Sequence, residues 1–278
     1  MATTRNSTES SSTLGTFVRT TFQGAIFYRL LAVLVFLALW EIASLFFLKN
    51  FLPQVGTIAA RIWVLYSSGA FFVQLADTLR RVFVGFFFAY TISILLGIWM
   101  GMNEKIEKFF EILVLIGISI PGLGFIIVAI IWFGISEVTA YTSVFVLATP
   151  LIIFNFWKGS QAIDTDLIEM ANAFQASRWM ILREVLLPSL VPYMLAAARF
   201  GLSASWKVTV LVELLALNSG VGYMINQQFQ EYSIVGVMAW MFGFTIVMMA
   251  IEFGILKTIE RWATKWRSDQ RISQPELL

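Results

Sequence analysis

Apolar runs of about twenty residues recur along this chain, each long enough to cross the hydrocarbon core of a bilayer. The first is IFYRLLAVLVFLALWEIASLFFL at 26–48, and others cover 80–102, 110–134, 139–157, 189–216 and 234–256. The pattern predicts an all-α integral membrane protein with about six transmembrane helices, forming one domain over 21–267. Charge agrees with that: 13% of residues are Asp, Glu, Lys or Arg, where a soluble domain carries roughly 25%. Residues 1–20 are polar and of low complexity, which predicts a disordered tail and not a cleavable signal peptide; 268–278 reads as a second tail.

The distribution of basic residues orients the chain. With both termini cytoplasmic, the inner segments hold thirteen of the nineteen Lys and Arg residues, and the outer segments hold four: Lys49, Arg61, Arg80 and Arg81. The Arg80-Arg81 pair argues the other way but does not outweigh the basic C-terminal end. Arg199 and Lys207 fall inside the fifth span. An intramembrane charge costs about 2.5–3.5 kcal/mol on insertion scales, so each needs a cavity or a counter-charge. Lys207 either draws an anion into a path, pairs with a carboxylate such as Glu213, or snorkels to the surface. Arg199 is expected to serve structure at the inner interface, and Glu213 to serve helix packing or a gate. Gly97 and Gly101 are spaced for close helix contact. Pro121, Gly122 and Gly124 should kink or break the third span, and irregular backbone at that depth suits a pathway wall. Trp40, Trp63, Trp99, Trp132 and Trp157 suit interfacial anchoring.

Three connections are more than turns. Residues 49–79 include Pro53 and an amphipathic stretch expected to lie at the outer interface, and 218–233 supply polar atoms between the fifth and sixth spans. Residues 158–188 are too polar to span. Within them Asp164, Asp166 and Glu169 precede Arg178 and Arg183, which suits a short helix over about 164–178 with negative charge at its positive end. Leu167, Met170, Ala171 and Phe174 give that helix one apolar face, for a membrane surface or a partner.

Glu169-Met170-Ala171, Ser177-Arg178-Trp179 and Val185-Leu186-Leu187-Pro188 resemble the EAA loop of type I, binding-protein-dependent ABC importer permeases. The likeness extends over about 50–265. IPGLGFIIVAIIWFGIS (120–136) and ARFGLSASWKVTVLVELL (198–215) followed by GVGYMI are similar to permeases for nitrate, sulfonate, taurine and bicarbonate. Arg199, Gly201, Trp206, Glu213, Gly220 and Gly222 fall at matching positions. The resemblance implies an inner-membrane permease subunit importing a small anionic solute, with a coupling helix carrying Glu169, Ala171, Phe174, Gln175, Ala176, Ser177 and Arg178. It also implies a homodimer, two P-loop ATPase subunits that bind ATP and Mg, and an extracytoplasmic solute-binding protein. Path or gate candidates are Pro121, Gly122, Trp206, Lys207, Glu213 and Gly222. Gln175 stands where the family has Gly, so the turn there either differs or tolerates a left-handed residue.

Other function classes fit less well. The chain has no cysteine and no histidine, which removes thiol nucleophiles, the commonest metal ligand and the usual neutral-pH base. No cofactor or metal is expected in this chain, and a net charge of +2 points to no nucleic-acid partner. No G-x-x-x-x-G-K-[ST] phosphate loop is present, so ATP hydrolysis must reside in another chain. A stand-alone ion-coupled carrier is the rival; it would need no cytoplasmic amphipathic helix and would show an internal repeat, and none is clear.

Overall fold

A computed structural model describes residues 27–28, 30–47, 51–161, 169–171, 173–256 and 258. The two tails, and Asp164, Asp166 and Leu167 of the polar connection, lie outside the described residues. Among those described, every regular element is helical. The chain divides at Arg61 into two compact units.

In the first unit, helix α1 (Leu30–Phe46) is apolar. Its Glu41 carboxylate accepts the Val55 N–H (3.0 Å) at the start of α2 (Val55–Ser67), and Trp40 Nε1 donates to the Pro53 carbonyl (3.0 Å). A carboxylate suits a helix N-terminus, where backbone N–H groups lack partners.

The second unit begins within α2 and holds the remaining helices. Helix α3 (Ala70–Met102) starts ten residues before the expected 80, after Gly69 with φ 75°. Asn103 ends it and caps the next helix, its Oδ1 accepting from the N–H groups of Lys105 and Ile106. Helices α4 (Glu104–Ser119) and α5 (Gly122–Phe133) meet at 92°. Pro121 forces the break: it disfavours helical backbone at Ile120, which is extended at φ −63°, ψ 125°. Helix α6 (Glu137–Gln161) follows, then Arg178–Ile181 and a π-helical turn, Leu182–Leu186, leading into α7 (Leu187–Leu215). The widened turn spans Glu184, whose carbonyl the Pro188 ring would otherwise strike. Helix α8 (Val221–Gln230) occupies the stretch read as a polar connection, and α9 (Ile234–Ala250) ends in π-helical turns, Ile251–Leu256.

Close packing of α3 on α6 organises this unit. Gly85, Ala89, Ser93, Gly97 and Gly101 recur every fourth residue on α3, facing Val144, Phe156 and Ser160 of a similar row on α6. A Cβ on Gly97 would meet Phe156, and one on Gly101 would meet Ser160, so the small residues let the backbones approach. Contacts rise together along both helices, so α3 and α6 run parallel. Gly159 meets Tyr193 and Gly201 meets Ile152, which makes α7 antiparallel to α6. Since α3 and α6 run the same way, the bent pair α4–α5 makes the return crossing. Among the described residues, four helical segments are long and apolar enough to span alone, and the bent pair counted as one span makes a fifth.

Trp157 is not an interfacial anchor. It is buried with Met100, Val114 and Ile153, and Lys158 Nζ lies 3.7 Å from its ring centroid. Trp63, Trp99 and Trp132 are exposed, as an anchoring role requires.

Candidate functional site

The polar centre of the molecule lies where α3 and α6 begin and α7 ends. Arg81 is 2% exposed and spends all five of its N–H donors. Nε and Nη2 form a fork on Glu137 (3.0 and 2.7 Å); Nη1 donates to Glu213 Oε1 and the Ser219 carbonyl (both 2.8 Å), and Nη2 to Ser219 Oγ (2.8 Å). Arg80 adds a second, exposed contact to Glu137 at 3.0 Å. The four charges balance, which is what permits burial of the inner pair.

Glu213 is fully buried. Its Oε2 accepts Thr78 Oγ1 and the Gly222 N–H, both at 2.9 Å. Thr78 Oγ1 in turn accepts the Val221 N–H (2.9 Å), and Gln74 Oε1 accepts the Gly220 N–H (2.7 Å). The N–H groups of the N-cap Gly220 and of the first two residues of α8 are thus bound by side chains of α3 and α7, with a carboxylate at the positive end of the dipole. Gly220 has φ 103° and lies against the Glu213 carboxylate; a Cβ on Gly222 would meet the Val210 carbonyl oxygen. The Gly-Val-Gly spacing is what lets α8 start this close to α7.

The second site is at the opposite end, where α7 begins. Residues 169–171 and 173 are helical, and Phe174 N–H still bonds the Met170 carbonyl (3.1 Å). The helix closes with the Ala176 N–H on the Ala171 carbonyl (3.0 Å) and Gln175 at φ 55°. That is the six-to-one closure of a Schellman turn with Gln at the position glycine normally takes. Of the two alternatives for Gln175, the turn is kept and the strain is tolerated. Ser177 then caps the next helix, its Oγ accepting the Met180 N–H (3.2 Å). Phe174 is 81% exposed and Trp179 68%, with Met170, Met180 and Glu169 exposed and Ala171 and Ala176 half-buried.

The remaining sequence candidates are dispersed. Lys207 does not pair with Glu213, whose oxygens are engaged by Arg81, Thr78 and Gly222; the ammonium lies exposed, 5.6 Å from the Trp206 ring centroid. Trp206 packs edge-on to Phe244 and lines a cleft of about 10 Å³ with Arg199, Ser203 and Glu252, room for about one water. Pro121 lines a shallow apolar groove with Ile112, Ile116 and Ile120, and Gly122 sits beside Leu147.

Residues 93–263 match the family model described as the binding-protein-dependent transport system inner membrane component. The chain belongs to that family. This family member is 25% identical over 236 residues to a taurine transport system permease protein of Escherichia coli, covering 83% of this chain and 86% of the relative. It is 27% identical over 241 residues to a putative aliphatic sulfonates transport permease protein of Bacillus subtilis (86% and 87%), and 27% identical over 201 residues to a nitrate import permease protein of Synechococcus elongatus (69% and 72%). Its fold is that of ABC transporter membrane subunits. A methionine ABC transporter in inward-facing form superposes with a TM-score of 0.61 at 21% identity, covering 76% of this chain and 98% of the other. An amino acid ABC transporter superposes at 0.52 and 18% identity (74% and 96%).

In this membrane component the sequence had pointed to Glu213, Gly220 and Gly222 but not to Arg81, Glu137, Thr78 or Gln74. A signal existed. Arg80-Arg81 and Glu137 are charges at the ends of apolar runs, and Glu213 lay unpaired inside another, so charge balance alone could have joined them.

Proposed function

We propose that this chain is the permease subunit of an ATP-driven importer for a small anionic solute. Two copies form the path, with both termini cytoplasmic, beside two P-loop ATPase subunits that bind ATP and Mg and an extracytoplasmic binding protein. The substrate class is supported by the relatives, whose names specify taurine, aliphatic sulfonates and nitrate; sulfonate and nitrate groups are anionic at neutral pH. The assembly is supported by the family description, by the fold and by the absence of a phosphate loop in the chain.

The observation that carries the ATPase contact is the exposed Phe174 on a doubly capped turn. An exposed phenylalanine beside a hydrogen-bonded turn on a polar segment suits an anchor for a partner's pocket. A seated helix can pass a displacement of the ATPase on to α7 through the helical turns Arg178–Ile181 and Leu182–Leu186 that lead into it.

The test is capture of the ATPase from membranes, together with substrate-stimulated hydrolysis in reconstituted vesicles. Phe174→Asp should weaken association by about 30-fold, the equivalent of losing a hot spot of about 2 kcal/mol, while the permease still inserts and dimerises. Glu169→Gln, which leaves the apolar face intact, should do much less. Full association and coupled hydrolysis with Phe174→Asp would remove this segment as the coupling element and favour the stand-alone carrier.

A further inference from the structure

Helix α7 is covered on most of its circumference. Leu190, Ala197, Gly201, Ser205, Thr209 and Val212 are buried, Glu213 is enclosed in the polar cluster, and Trp206 packs against Phe244. The side left open carries Phe200, Lys207, Leu211 and Leu215, all exposed, at the seven- and four-residue spacings of one helix face. Lys207 lies eight residues before Leu215, the last residue of α7, about 12 Å from that end along the axis. It is an ammonium well inside an apolar span, and no described carboxylate lies on its stripe. Glu213 is closed to it, for Arg81, Thr78 and Gly222 hold both oxygens.

We propose that this stripe is a wall of the solute path and that Lys207 draws small anions along it. A cation at such depth needs water or an anion beside it, which a lipid-facing stripe would not supply. An uncompensated positive charge on a water-filled wall selects for anions, as rings of Arg or Lys do in anion pores. The occupant facing this open side is a second copy of this chain: two-fold symmetry sets the same stripe on both subunits, so two lysines flank one path and the exposed Phe200 and Leu215 are shared at its edges. This deepens the importer reading and rests on it, naming the residue that attracts the anionic substrate class.

Since the chain has no cysteine, a single introduced thiol reports on the stripe without knowledge of the substrate. Leu211→Cys stands one turn from Lys207. In vesicles holding the assembled complex, its modification rate is measured with two probes, anionic 2-sulfonatoethyl methanethiosulfonate and cationic 2-(trimethylammonium)ethyl methanethiosulfonate, with Phe87→Cys on α3 as the background. Leu211→Cys should react at least tenfold faster than Phe87→Cys. The anionic-to-cationic rate ratio should fall at least threefold when Lys207→Met is added and be kept by Lys207→Arg. A thiol at 211 that reacts no faster than the background, or a ratio unchanged by Lys207→Met, would overturn the proposal. ATPase capture from the same membranes separates the two readings: captured ATPase with an unreactive thiol sinks the path wall and leaves the importer reading standing, whereas absent ATPase sinks the importer reading and the path wall with it.

Discussion

Gln175 and Tyr232 hold left-handed backbone, at φ 55° and 54°, without being glycine. Each closes a helix by the same device. At Tyr232 the Ser233 N–H reaches the Gln228 carbonyl (2.9 Å) and the Tyr232 N–H reaches the Phe229 carbonyl (3.0 Å), the paired bonds of a Schellman turn. Such a residue costs of order 1–3 kcal/mol, and both stand beside exposed aromatics, Phe174 in one turn and Phe229 in the other. Gln175→Gly should therefore keep the turn, and with it ATPase capture within about twofold of the parent. Gln175→Val adds a β-branch where φ is positive and should distort the turn, lowering capture by roughly tenfold, or about 1.4 kcal/mol. Equal capture by the two variants would show that the turn geometry is not used.

At the scale of elements, the Arg81 cluster decides where α8 starts. Helix α8 spans only ten residues, and an isolated helix so short is marginal in water; side chains from α3 and α7 supply its N-terminal partners instead. Arg81→Met would strand Glu213 in a buried site with an uncompensated charge, a loss of about 3–5 kcal/mol. The expected result is a large drop in the unfolding temperature of the purified subunit. Arg81→Lys should recover little, since an ammonium brings three donors where the guanidinium uses five in a fixed fork. Arg81→Met with Glu213→Gln should lie above Arg81→Met alone. If the single variants simply add, the two residues do not act as a pair.

At the scale of the whole molecule, the direction of α3, α6 and α7 puts the polar cluster at one end and the Gln175 turn at the other. With the basic residues as the guide to sidedness, a thiol at Tyr232 should be labelled from outside intact cells by an impermeant reagent. One at Phe174 should be labelled only after the membrane is opened. Labelling of both from the same side would contradict the placement of the ends.

Membership of the membrane class and the helical fold were legible from residue order, because a run of apolar residues must be buried in lipid whatever its neighbours are. The break at Pro121 was legible for the same kind of reason: proline acts on its own backbone and on Ile120, with no distant partner required. Burial of Trp157, the start of α3 at Ala70 and the helical state of 221–230 were not, since each depends on what packs there from elsewhere in the chain. The same holds for Glu213. Its charge in an apolar run announced that a partner must exist, but Lys207 is six residues away in sequence and Arg81 more than a hundred. Only the parallel packing of α3 on α6, with α7 laid antiparallel beside them, brings Arg81 within 2.8 Å of Glu213 and leaves Lys207 on the open face.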